Sequence, residues 1–128
     1  MTVVLPPSLV RSAIISFFLR FESTLVTGVK IETRRVWKNE GKFRSHIIAL
    51  KNGLFVRAWC GTKGRQIGYV RYLSIEPQRL EEMTTDDVGN EGCPGMSVLE
   101  FCELEFPSIS LTTEVWVVRF VFIPLHTL

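Results

Sequence analysis

The apolar residues of this chain fall into short runs whose period changes along the sequence. Residues 13–19 form a compact apolar run between Arg11 and Arg20, and Ile14, Ile15, Phe17 and Phe18 within it suit a buried strand. Over residues 20–27, Phe21, Leu25 and Val26 fall at helical spacing, and Gly28 supplies a left-handed stop, so a short helix is predicted. Residues 31–36 are rich in β-branched side chains and read as a strand. Residues 39–44 are polar and contain Gly41, which predicts a loop. Asn52-Gly53 is a turn pair leading into a strand at 54–60. After a loop at 61–66, a further strand is expected at 67–75, with Ile67, Tyr69, Arg71 and Leu73 on one side and Pro77 as its end.

The second half reads differently. Thr84 is placed to cap a short helix, with Asp86 and Asp87 in the first turn, where the helix dipole favours anions, and Gly92 as the stop. Ser97 and Glu100 have capping-box spacing and open another helix to about Leu104. Residues 114–123 are a long β-rich run ending at Pro124, the best candidate for an inner strand. Strands mixed with short helices predict an α+β fold with a curled, mostly antiparallel sheet or small barrel. One domain fits the 128 residues. The predicted division is an N-terminal arm at 1–13, which contains Pro6-Pro7, a domain at 14–124, and a C-terminal tail at 125–128.

Composition narrows the function classes. The apolar run at 13–19 is far below the ~20 residues that cross a bilayer, and no cation precedes the apolar part of the arm, against a signal peptide. Cys60, Cys93 and Cys102 are odd in number and lack a C-x-x-C pair. They read as buried thiols in a reducing cytoplasm, not as a disulfide framework or zinc site. His46 and His126 have no metal-binding spacing, and no cofactor is expected. The net charge of +2 hides an asymmetry: residues 28–71 hold eleven Lys/Arg and two acids, and residues 76–114 hold one Arg and ten acids. The basic block can draw in phosphates, or the two blocks can neutralise each other.

The densest chemistry is Gly28-Val-Lys-Ile-Glu-Thr-Arg-Arg-Val-Trp-Lys38. Four cations, a carboxylate, a hydroxyl and an indole after a glycine entry read as the lining of a cleft for an anionic or nucleotide-like ligand. Trp37 can stack on a base while Lys38, Lys42 and Arg44 hold phosphates, or it can pack under the barrel. Trp59 and Trp116, within strands, are expected in the core. Residues three apart on a regular strand face opposite ways, so Lys30 and Thr33 share a cleft only if Lys30 precedes the strand or sits at a bulge.

In its pattern Gly28-x-Lys30-x-x-Thr33-x-Arg35 the chain resembles the ASCH-domain family, a small β-barrel fold related to the PUA RNA-binding domain. Phe17-Phe18, Arg20-Phe21 and Leu25 are similar to small bacterial members. Ile67-Gly68, the series from Arg79-Leu80 through Met83-Thr84 and Asp87 to Glu91-Gly92, and the closing run through Phe120 are similar to archaeal and bacterial ones. The resemblance spans residues 14–124 and implies a PUA-like barrel of mostly antiparallel strands with short flanking helices. Some small bacterial members remove the acetyl group of N4-acetylcytidine through a lysine, a threonine and a glutamate, which Lys30, Thr33 and Glu91 match. Gly28, Arg34, Arg35, Trp37 and Lys38 are the expected contacts to substrate or RNA. Lys30 would activate Thr33 or a water, Glu91 would shuttle the proton, and Arg35 would orient the site or hold the oxyanion. Glu91, at a helix C-terminus, faces the negative end of the dipole, a position that suits a proton-exchanging group. The alternatives are a non-catalytic RNA-binding module in translation or RNA regulation and, third, a ribonuclease. The arm and the long connection from Val36 to Leu54 depart from the shortest hydrolases.

Overall fold

The computed structural model describes residues 9–125, with side chains from residue 13 onward. Five strands form one sheet in the order β1-β3-β4-β5-β2. They are β1 (Leu9–Phe17), β2 (Glu32–Arg35), β3 (Phe55–Cys60), β4 (Arg65–Arg79) and β5 (Glu114–Pro124). Three of the four pairings are antiparallel, and β1 runs parallel to β3 at one edge. The helices are α1 (Glu22–Val26), α2 (Glu40–Lys51), α3 (Thr85–Asn90) and α4 (Val98–Glu105). This is the expected α+β half-barrel, with β5 inside the sheet between β4 and β2. Among the described residues no helix is long and apolar enough to cross a membrane.

Two cores flank the sheet. One gathers Ile15, Phe17, Leu25, Val56, Val70 and Phe120 inside the curl. The other lies between the sheet and α3 and α4, around Leu80, Val88, Phe101 and Val115. Gly68 is required where β4 meets β5, because a Cβ there would stand 2.2 Å from the Ile123 carbonyl oxygen.

Several expectations need correction. Residues 1–8 of the predicted arm lie outside the described residues, as do 126–128 of the predicted tail, and β1 begins at Leu9 instead of near Ala13. The loop expected at 39–44 is the first part of α2, a twelve-residue helix. Asn39 caps it by accepting from the Lys42 N–H at 3.0 Å, and Gly41 lies in the first turn, where its flexibility matters least. Pro77 does not end its strand: β4 continues to Arg79. Phe120 donates to Ile31 on the β2 side, so by alternation Trp116 also bonds toward β2, and Pro77 opposite it has no bond to make with β5. β3 pairs with β4 only as far as Arg71, so the missing N–H of Pro77 costs the ladder nothing. A register shift between Tyr72 and Ser74 breaks the alternation predicted through Ile67, Tyr69, Arg71 and Leu73. Trp59 and Trp116 are half-buried instead of core: Trp59 covers Gly64, and Trp116 stacks on Phe43 at 4.5 Å.

Candidate active site

The segment that joins α1 to β2 is pinned at both ends. Gly28 turns the chain with φ 78°, the Val29 and Lys30 N–H groups both donate to the Thr24 carbonyl at 2.9 Å, and the Ile31 N–H donates to the Asn90 carbonyl at 2.8 Å. Lys30 therefore precedes the strand, which removes the difficulty of opposite faces. The bond to Asn90 also brings the end of α3 alongside, so that Glu91, the C-cap of α3, meets Lys30 across 61 residues of sequence. Gly92 makes this approach sterically feasible: its φ is 95°, and a Cβ there would sit 3.0 Å from the Lys30 Cβ.

Lys30 is buried, with its ammonium 4.2 Å from the centroid of the Phe21 ring. Nζ has three acceptors: the Glu91 carbonyl at 2.7 Å, Glu91 Oε1 at 2.9 Å and the Glu32 carbonyl at 3.2 Å. An ammonium has three protons to give, so this geometry fits the charged form. Burial pulls Lys30 below the ordinary lysine range, Glu91 pulls it back, and Arg35 pushes it down again. Glu91 Oε2 accepts from Arg34 at 2.9 Å, and Arg34 also donates to Glu32 at 3.0 Å and to Gln78 at 2.8 Å. Asp87 stands 3.4 Å from Arg34, and Arg119 closes the series on Glu32 at 3.2 Å.

Thr33 and Arg35 point to the inner face of the curl. Arg35 donates its Nε–H to Thr33 Oγ1 at 3.1 Å and lies 5.0 Å from the Phe17 ring centroid. Burial lowers the Arg35 pKa. Thr33, as acceptor of this bond, keeps its own hydroxyl proton free to donate.

These groups line one cavity of about 760 Å³ at the open seam between β1 and β2. Lys30, Thr33, Arg35 and Glu91 lie on its polar side. Phe17, Phe18 and Phe21 from the end of β1 and the turn after it, with Phe106 and Ile109 beyond α4, supply apolar walls. The cavity thus brings together Lys30, Thr33, Glu91 and Arg35, as the sequence suggested. Arg34 also lines it, but its guanidinium is buried: Nε donates to Gln78 and Nη1 to Glu32 and Glu91, while Nη2 stands 3.4 Å from Asp87 without a hydrogen-bond partner among the described residues. Gly28 acts on the backbone and is not in the lining. Trp37 is also outside the cavity: His46 lies flat against its ring, 4.3 Å away with 3° between planes. Lys38 is exposed and away from the cavity. Of the three thiols, Cys60 and Cys102 are buried and Cys93 is half-buried, and burial raises all three pKa values.

Arg20 and Glu105 were not anticipated. Both line the cavity, and they pair with each other at its mouth. Arg20 rests on the faces of Phe18 and Phe21, at 4.5 and 4.9 Å from their centroids. A cation bracketed by aromatics was a usable signal for Arg20. Glu105 is one acid among ten in the acidic block, and nothing near it in sequence marks it out.

No family profile and no curated protein matches the sequence. Solved structures do match the fold. A protein of family DUF984 from Enterococcus faecalis V583 aligns over 97% of this chain and 84% of its own, at 11% identity and TM-score 0.56. An ASCH domain from Lactobacillus crispatus JV V101 aligns over 88% of this chain and 81% of its own, at 12% identity and TM-score 0.59. With a curled five-stranded sheet, its flanking helices and these two likenesses, the chain has the PUA-like fold of ASCH domains.

Proposed function

We propose that this chain is an ASCH-family protein whose cavity receives a nucleoside, and that it hydrolyses the amide of N4-acylated cytidine through Lys30, Thr33 and Glu91. The observation that carries this reading is the convergence of those three side chains, with Arg35, on one apolar-walled cavity. In this mechanism the Lys30 ammonium first gives up one proton to bulk water, which its burial favours, and the neutral amine keeps two acceptors while its lone pair turns to the place the third one held; it then takes a proton from a water or from the Thr33 hydroxyl. The oxygen so activated attacks the acyl carbon. Arg35 stabilises the oxyanion, and its hydrogen bond to Thr33 holds the two groups side by side. Collapse breaks the C–N bond, and the leaving nitrogen takes the proton back from Lys30, with Glu91 holding the ammonium between the two transfers. In the water route the products are a carboxylic acid and cytidine. In the Thr33 route the acyl ester formed first is then hydrolysed by water.

One observation favours a second reading, an RNA-binding module without chemistry: every proton of the Lys30 ammonium already has an acceptor. A chromatographic assay of N4-acetylcytidine with wild type and Lys30→Ala side by side separates the two. Turnover by wild type that is lost in Lys30→Ala, with the variant still folded, supports the hydrolase. No turnover by wild type, with salt-sensitive binding to RNA, supports the module.

A further inference from the structure

The charges around the cavity are unequally spent. Lys30 and Arg34 are tied to Glu91, and Arg20 is tied to Glu105. Arg35 is the one lining cation with no acidic partner among the described residues. Its partners are the Thr33 hydroxyl and the Phe17 ring. The cavity therefore offers, at Arg35, a cation that no carboxylate among the described residues contacts, though Glu91 and Glu105 both act on it through space, and this suits it to a carbonyl or developing oxyanion. The mouth offers a neutral pair.

That pair is unsymmetrical. The Arg20 side chain is 43% exposed, and the Glu105 side chain that reaches it from the end of α4 is 9% exposed. The aromatic faces of Phe18 and Phe21 hold the guanidinium on the exposed side of the cavity lining. A site built for a phosphate would leave such an arginine open to bidentate contact. Here a carboxylate takes the position instead and would repel a second anion.

We infer that Glu105 is the specificity-determining residue of this cavity: by neutralising Arg20 it turns away phosphate at the mouth, so the site takes a neutral nucleoside in preference to its 5′-phosphate or an RNA strand. The choice between nucleoside and nucleotide rests on the nucleoside reading given above. The rejection of anions at Arg20 does not.

The test uses wild type, Glu105→Gln and Arg20→Gln with two kinds of probe. Inorganic pyrophosphate is expected to raise the melting temperature of Glu105→Gln at concentrations that leave wild type unmoved. N4-acetylcytidine is expected to bind wild type roughly 5- to 100-fold more tightly than its 5′-monophosphate. That gap closes or reverses in Glu105→Gln and persists in Arg20→Gln, where the carboxylate remains without its counter-charge. Glu105→Ala gives the same comparison should the glutamine variant fail to fold. Equal pyrophosphate responses in wild type and Glu105→Gln, or an unchanged nucleoside-to-nucleotide ratio, overturn the inference. If neither nucleoside binds any of the proteins, the nucleoside reading fails, and the pyrophosphate comparison alone decides the role of Glu105.

Discussion

Replacing Glu91 by glutamine tests the buried network directly. Three cations, Lys30, Arg34 and Arg119, and three acids, Glu32, Asp87 and Glu91, form a series of net charge zero. Glu91→Gln changes it to +1 at a buried point. Lys30 keeps two carbonyl acceptors but loses the carboxylate it pairs with, and Arg34 loses one of three among the described residues. Removing one partner from a buried, hydrogen-bonded pair costs about 3–5 kcal/mol, out of a total stability of roughly 5–15 kcal/mol for a domain of ordinary size. Lys30→Met is expected to cost less, about 1–3 kcal/mol, because Glu91 retains Arg34 and the methionine fills the space against Phe21. The double variant should recover about 1–3 kcal/mol relative to the sum of the single costs.

Urea unfolding measures all three. With a slope of about 2 kcal/mol per molar, Glu91→Gln lowers the midpoint by about 2 M. A Glu91→Gln cost under about 1 kcal/mol, or a double variant whose cost equals the sum, would refute the network as the source of this stability. The result also governs the activity assay: loss of turnover in Glu91→Gln counts as chemistry only at temperatures where the variant is folded.

Other outcomes follow from local geometry. His46 is buried against Trp37, its Nδ1 is 2.6 Å from the Tyr72 hydroxyl, and burial, Lys42 and Arg35 lower its pKa to about 4. The unfolded chain binds that proton below about pH 6.5 and the folded chain only near 4, so stability falls as pH drops from 6.5 to about 4. After allowance for solvent screening the loss is roughly 2–3 kcal/mol, and His46→Gln should flatten that part of a stability–pH curve. Gly68→Ala drives a methyl group into the Ile123 carbonyl and should cost about 1–3 kcal/mol or more in a thermal melt. Thr33→Val removes the acceptor for Arg35 at little change in shape. It should leave stability within about 1–2 kcal/mol of wild type and lower kcat/KM for the acylated nucleoside by roughly 100-fold or more.

Much of the sheet was legible because its apolar runs are short, bounded by turn residues, and β-branched. The caps of α3 and α4 were legible for the same local reason: Thr84 and Ser97 accept from the backbone three residues on, as their spacing implies. α2 was not, because it buries little. Its buried residues are His46 and Ala49, neither of which gives an apolar stripe, and its start, with Glu40, Gly41, Lys42 and Arg44, is polar enough to read as loop. Trp37 was assigned to a ligand because its natural cover, His46, sits on the helix that the sequence hid. Within the cavity, Lys30, Thr33 and Arg35 lie close together in sequence, but the burial of Lys30 depends on a carboxylate 61 residues away. No local pattern foretells a buried lysine. What the chain does mark is Gly28, whose left-handed turn sets Lys30 off the strand.

The three bonds of Lys30 constrain any chemistry at this site. If the proton on the bond to Glu91 Oε1 moved to the carboxylate, the neutral amine would still have two protons for the two carbonyls, and its lone pair would accept from the acid. The same three contacts thus accommodate the proton on either atom. Arg34, at 2.9 Å from the other carboxylate oxygen, favours the arrangement with the proton on Lys30. In neither arrangement does the nitrogen have a lone pair free for a water or for Thr33. Base chemistry therefore requires the pair to lose a proton as well as a contact: a neutral amine that donates to the Glu91 carbonyl and carboxylate turns its lone pair to the place of its longest contact, the Glu32 carbonyl at 3.2 Å. That carbonyl belongs to the strand that carries Thr33 and Arg35, so the place where the lone pair would point lies beside both of its partners in the reaction.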